Sequence, residues 1–223
     1  MEIIPNVHCI PAMRGVNVYL LALGRTLTLV DTGMPGSADA ILHYVHRLGY
    51  ATADLTRIVI THRHVDHVGS LAALKERTQA SVLAHPADAP FIAGERTRQK
   101  RLLYPRVSAM PHSEPVPIDV PIEDGDTLGV LTGATVVHVP GHTPGSVALH
   151  FPAERLLIAG DAIDHRGNQL GTPPAPFTED MEQAIASIRR LARLDFEVLC
   201  PGHGDPIVGG AAEQVRAMLQ RLV

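Results

Sequence analysis

The sequence predicts an α/β protein built as a four-layer αβ/βα sandwich. Three observations carry that expectation. Short β-branched apolar runs alternate with segments of helical period, two such series follow one another, and several of the runs end in His or Asp beside glycine. An apolar strand ending in a tight turn presents its last side chains at one rim of a sheet, and glycine lets the backbone turn sharply there.

In order along the chain, residues 17–21 and 26–30 read as paired strands turning at Gly24-Arg25. Residues 37–48 place Ile41, Leu42, Val45 and Leu48 at helical spacing and stop at Gly49. Residues 57–61 form an apolar strand that runs straight into a His-rich segment. Residues 69–77 carry Leu71, Ala72 and Leu74 on a helix with Asp66 near its start, and 80–84 read as a further strand. In the second half, 134–139, 147–151 and 156–159 are successive strands. Thr178 is the expected cap of a long helix reaching Leu194, and 210–222 form a closing helix. The halves repeat one pattern, and a single domain over 1–223 is expected. Between them, residues 85–126 hold seven prolines together with Phe91, Leu102, Leu103, Tyr104 and Met110, which suggests a packed lid. Residues 167–177, with Pro173-Pro174-Ala175-Pro176, would form the opposing wall.

Composition narrows the class. A chain of 223 residues with 45% hydrophobic content and net charge −4 is long and apolar enough for a substantial core. Its densest basic run, Glu95 to Arg101, is too thin for a nucleic-acid groove, so no nucleic-acid partner is expected. No apolar run approaches the roughly 18 residues of a membrane span. The opening Met1-Glu2-Ile3-Ile4-Pro5 lacks the features of a signal peptide, which makes the cytoplasm the expected location. Cys9 and Cys200 do not suggest a disulfide scaffold and are expected to act as small buried hydrophobes.

The segment Thr61-His62-Arg63-His64-Val65-Asp66-His67 packs four metal-capable side chains into six residues. Imidazole suits zinc, iron, cobalt and nickel, and carboxylate tolerates harder ions. His62 and His64 sit two apart, so on an extended chain they project to one side, while Asp66 and His67 on the following turn face a second position. Three later junctions repeat the theme: His142 in His138-Val139-Pro140-Gly141-His142, Asp161 in Ile158-Ala159-Gly160-Asp161, and His203 in Cys200-Pro201-Gly202-His203. His8, His43, His46, His85, His112, His138 and His150 show no partner pattern and are expected to be surface or core histidines.

In the order of these seven residues the chain resembles the metallo-β-lactamase-fold hydrolases, and the resemblance covers nearly its whole length. It implies that His62, His64 and His142 bind a first divalent ion, that Asp66, His67 and His203 bind a second, and that Asp161 bridges the two. It also implies that Asp31, in Val30-Asp31-Thr32-Gly33, steadies a ligand by hydrogen bonding without touching metal. Zinc is the expected metal, with iron, manganese, cobalt or nickel also compatible with His and Asp donors. Bridging hydroxide would attack a substrate carbonyl, with Asp66 relaying its proton as the catalytic residue. No G-x-S-x-G elbow argues for a nucleophilic serine.

The expected substrate is a small carboxylic ester, lactone or thioester. Class B1 and B2 β-lactamases carry Cys where Asp161 stands, and the signatures of glyoxalase II and of persulfide dioxygenases after the bridging Asp are missing in Ile163-Asp164-His165-Arg166-Gly167. Quorum-quenching lactonases are closer in length and in Asn17-Val18-Tyr19-Leu20, yet place a carbonyl-polarising Tyr just past the bridging Asp. Tyr104 or His165 would have to substitute for it here. The alternatives on this scaffold are a mononuclear iron sulfur dioxygenase and a glyoxalase II-like thioester hydrolase. The partner expected is a small molecule, with a homodimer conceivable through 85–126.

Overall fold

Alternation along each strand divides the apolar side chains between two faces, and that division builds the layers. The structure is a computed structural model describing residues 1–10, 15–96 and 113–222. Its first half runs β1 (Glu2–Ile4), β2 (Val7–Cys9), β3 (Tyr19–Leu23), β4 (Thr26–Val30), α1 (Ala38–Arg47), β5 (Leu55–Val59), α2 (Val65–Val68), α3 (Leu71–Thr78), β6 (Ser81–Ala84), α4 (Ala89–Ile92) and β7 (Val120–Pro121). The second half runs β8 (Thr127–Leu128), β9 (Ala134–His138), β10 (Val147–Phe151), β11 (Leu156–Gly160), α5 (Met181–Leu191), β12 (Val198–Pro201), β13 (Ile207–Val208) and α6 (Ala211–Gln220).

The strands form two sheets, ordered β1-β2-β3-β4-β5-β6-β7 and β13-β12-β11-β10-β9-β8. Tyr19, Leu21, Val30 and Val59 of the first sheet meet Val136, Leu149, Phe151, Ile158 and Cys200 of the second in one buried cluster between the sheets. The opposite face of the first sheet, with Leu20, Leu29 and Ile58, packs on Ile41, Val45, Leu71 and Leu74 of α1 and α3. The opposite face of the second, with Val137, Leu157 and Leu199, packs on Ile188, Leu191, Val215 and Met218 of α5 and α6. Helix, sheet, sheet, helix is the four-layer αβ/βα sandwich expected. Cys200 is buried in the inter-sheet core, and its thiol pKa is pushed well up by burial.

The parallel pairs β4–β5, β5–β6 and β11–β12 send the C-terminal ends of the central strands to the same rim. Backbone bonds stitch the sheets together there. Val147 N donates to Thr61 O at 2.9 Å and Asn17 N to Gly202 O at 2.8 Å, while Tyr19 Oη donates to Pro201 O at 2.6 Å.

Several boundaries differ from the sequence reading. The expected strand over 57–61 is Leu55–Val59, because Thr61 N leaves the ladder to donate to Asp31 Oδ1 at 2.8 Å. The expected helix over 69–77 is α3, Leu71–Thr78, and a separate short helix precedes it, so Asp66 lies within α2 and not at the start of α3. Thr178 is not the cap of α5. Asp180 holds that position and accepts from Gln183 N at 2.9 Å. Replacing Asp180 by Ala is therefore expected to cost about 1 kcal/mol, read as a lower urea midpoint at unchanged slope. Strands β1, β2, β7, β8 and β13 are two or three residues long, too short for a period to show. The expected lid is described only at its ends, where Ile92 and Val116 join the core under the first sheet and β7 extends its edge; residues 97–112 lie outside the described residues, Tyr104 and His112 with them. His85 and His138 stack with ring centroids 4.0 Å apart and planes 8° apart, a pairing the sequence did not signal.

Candidate metal centre

Each of the seven candidate residues sits just beyond a strand end or on the helix that follows one. His62 and His64 lie between β5 and α2, and Asp66 and His67 lie on α2. His142 follows β9, Asp161 follows β11 and His203 follows β12. All seven converge at the rim. The donor atoms of His62, His64 and His142 lie within 4.8 Å of one another, as do those of Asp66, His67 and His203. Asp161 joins the two groups. Its Oδ2 lies 3.4 Å from His142 Nε2, 4.0 Å from His62 Nε2 and 3.3 Å from His203 Nε2, and its Oδ1 lies 3.3 Å from His67 Nε2.

Hydrogen bonds on the far sides of the rings fix which nitrogen faces the centre. Thr61 Oγ1 donates to Asp31 Oδ2 at 2.8 Å, so toward His62 Nδ1, 3.1 Å away, it can only accept. Thr178 Oγ1 donates to Pro174 O and likewise accepts from His142 Nδ1 at 3.3 Å. His67 Nδ1 donates to Asp31 Oδ2 at 2.8 Å, and His203 Nδ1 donates to Gly15 O at 2.5 Å. With Nδ1 carrying a hydrogen in all four rings, each turns Nε2 inward, the arrangement in which imidazole offers a lone pair to a cation. Asp31, placed by sequence as a support, touches His67 and Thr61 and none of the other six donors' inner faces. Sequence gave no hint of Thr178 or the Gly15 carbonyl in this role.

The donor set fits a metal on one further observation. His62 Nε2, His67 Nε2, His142 Nε2 and Asp161 Oδ1 are buried without a hydrogen-bond partner. A cluster of buried polar atoms left unsatisfied in this way is costly unless something supplies the missing interactions. A cation bound by three or four donors at about 2.1 Å would satisfy them together. Gly202 is part of the cradle, since a Cβ there would strike Asp161 Oδ1 and come within 3.0 Å of His67 Cε1.

The charges of the metal-free centre follow from the same contacts. Burial and the neighbouring His67 and His64 hold the His62 pKa well below the ordinary imidazole value. Burial opposes charge on His67, yet Asp161, Asp31 and Asp66 around it hold its pKa well above that value. Burial likewise opposes ionisation of Asp161, but His67 and contacts from His142 and His203 keep its pKa well below the usual carboxylate range. At His203, contacts with Asp161 and Asp66 outweigh burial and raise the pKa to about 9. A raised folded-state pKa stabilises below the unfolded value of 6.5 and is lost as pH rises through about 9. Chelator-treated protein is therefore expected to melt at falling temperatures between pH 6.5 and 9. With zinc added this fall should be absent, because a cation held by His203 would take the place of the proton on its Nε2.

The centre opens into a cleft lined by His64, Val65, Asp66, Arg166, Pro174 and Phe177, besides three more of the seven. Pro174 and Phe177 form the wall expected from 167–177. None of the described residues of 85–126 lines it. His165 does not line it either: its Nδ1 lies 2.6 Å from Asp205 O, while Arg166 faces the cleft.

A sandwich of this layering with buried histidines and carboxylates gathered at one rim defines a protein of the metal-centre αβ/βα class. The profile of the Metallo-beta-lactamase superfamily matches residues 12–203, and the chain belongs to that family. It is 31% identical over 217 residues to the probable metallo-hydrolase YflN of Bacillus subtilis, covering 86% of this chain and 82% of that one. It is 34% identical over 154 residues to a hydroxyacylglutathione hydrolase of Cereibacter sphaeroides, covering 67% of this chain and 48% of that enzyme. The crystal structure of a metallo-beta-lactamase family protein from Thermus thermophilus superposes with a TM-score of 0.77 at 25% identity, over 99% of this chain and 79% of that one. Among the described residues no helix is long and apolar enough to cross a membrane.

Proposed function

We propose that the protein is a binuclear metal-dependent hydrolase of small carboxylic esters, lactones or thioesters. The observation that carries this reading is the meeting of two donor groups on the shared carboxylate of Asp161, at the mouth of an open cleft. His62, His64 and His142 would hold one ion, Asp66, His67 and His203 the other, and zinc is the metal we favour. When bound, the ions supply Lewis acidity toward a carbonyl and acidify water enough for hydrolysis at neutral pH.

The chain's own residues supply the rest. Asp66 lines the cleft, and its side chain, 25% exposed, is more open than those of His62, His67, His142, Asp161 and His203. His67 and His203 hold its carboxylate ionised against the effect of burial. It is thus placed to take a proton from attacking water and pass it to the leaving group. Val65, Pro174 and Phe177 give the cleft an apolar side that would receive an acyl chain and exclude water. The Cereibacter sphaeroides relative, a hydroxyacylglutathione hydrolase by name, favours thioesters among the three bond types.

Elemental analysis of protein purified without chelator, followed by a panel of esters, lactones and thioesters, tests the reading. About two ions per chain, with turnover lost on chelation and restored by zinc, is expected. A single iron, with oxygen consumed in place of water, would instead establish a sulfur dioxygenase.

A further inference from the structure

We propose that Asp88, acting through Arg63, is the positioning residue for the group of His62, His64 and His142. Asp88 lies just before α4, and only 1% of it is exposed. Its Oδ1 accepts from Arg63 Nη1 at 2.6 Å and from Gly145 N at 3.1 Å. Its Oδ2 accepts from Arg63 N at 3.0 Å and from Thr143 Oγ1 at 2.6 Å. Arg63 stands between His62 and His64, while Thr143 and Gly145 follow His142 in chain order. Each carboxylate oxygen therefore reaches both loops that carry these three histidines, and the loops come from different halves of the chain.

The surroundings hold the arrangement closed. The Arg63 guanidinium lies 3.8 Å over the Phe91 ring of α4 and pairs with Glu179, whose backbone N donates to Gly141 O and His142 O. Gly145 packs so closely that a Cβ would sit 2.6 Å from Asp88 Cγ. Four donors on two oxygens require a carboxylate. In Asp88→Asn, an amide at the Oδ1 position leaves Arg63 Nη1 and Gly145 N facing a donor, and one at the Oδ2 position leaves Arg63 N facing a donor while the Thr143 hydroxyl can turn to accept. A metal centre needs its donors held within about 0.5 Å, and loops without such support do not provide this. The other group has different supports: Asp31 holds His67, and the Gly15 carbonyl holds His203. The inference rests on the reading that the first group binds metal, and it separates the two groups experimentally.

The test is cobalt(II) affinity, measured by visible absorption and chelator competition, in two backgrounds. Asp66→Ala disables the second group and leaves the three histidines; His64→Ala disables the first. Adding Asp88→Asn is expected to weaken cobalt binding about 10–100-fold in the Asp66→Ala protein, the scale seen for outer hydrogen-bond partners of metal ligands. In the His64→Ala protein the change should stay within about twofold. Thr143→Val, which removes one of the four bonds at similar volume, should shift affinity in the same direction by a smaller factor, and it carries the test if Asp88→Asn does not fold. Equal weakening in both backgrounds, or none in either, would overturn the proposal. Failure of the Asp66→Ala protein to bind cobalt at all would overturn the metal reading along with it.

Discussion

Asp161→Ala protein is expected to retain its fold and lose both its full metal content and its turnover. Asp161 is the one carboxylate in contact with His62, His67, His142 and His203, so its removal disconnects the two donor groups. Loss of an outer partner typically costs about 10–100-fold, and loss of a shared ligand should exceed that, on the order of 10³-fold. Elemental analysis should show metal falling from about two ions per chain toward one or none. Two ions retained with turnover intact would remove Asp161 from the bridging position. The metal-free variant should also show a change in His67, whose pKa is held up first among its charged neighbours by Asp161.

Asp31→Ala should act on stability and metal together. Asp31 is 3% exposed and accepts from Thr61 N, Thr61 Oγ1 and His67 Nδ1, the two heavy-atom bonds to Thr61 and the one to His67 each measuring 2.8 Å. Its φ of +63° is a left-handed conformation that Asp tolerates better than Ala. Removing one partner of a buried charged network costs about 3–5 kcal/mol. Cobalt affinity of the Asp66, His67 and His203 group should fall about 10–100-fold as His67 loses its orienting bond. Thermal melts with and without metal separate the two effects. A variant that melts lower but binds cobalt normally would confine Asp31 to a packing role.

Much of this was legible in the sequence because the relevant residues are consecutive or sit at recognisable junctions. His62 to His67 is local, and His142, Asp161 and His203 each end an apolar run beside glycine, so their convergence follows from strands ending at one rim. Asp88 was not legible. It precedes a four-residue helix in a Pro-rich stretch, and its partners lie 25, 55 and 57 residues away. Arg63 was in view between two candidate ligands but carried no role in the sequence reading, although its side chain is only 4% exposed. Thr178 misled because a Thr before a helix resembles a cap, whereas its hydroxyl faces His142 and Asp180 caps the helix. Long-range side-chain pairing leaves no periodic trace in a sequence, and it accounts for the misses at Asp88 and Arg63 and for the contact of Thr178 with His142.

The division of donors between the halves sets an order of assembly. The first half carries His62, His64, Asp66 and His67, but these belong to two different groups, and each group is completed only by a residue of the second half, His142 or His203. During synthesis the earlier half emerges first. It can offer an ion at most two donors of either group, which gives weak and unselective capture. Tight binding by the first group waits until the segment after β9 has been made and docked, and by the second until β12 has. An ion held at that point ties together segments some 140 residues apart in sequence, and at a free concentration 1,000 times its dissociation constant it adds about 4.1 kcal/mol to the finished fold and nothing to a truncated one. Metal occupancy of the second group would then report synthesis through His203.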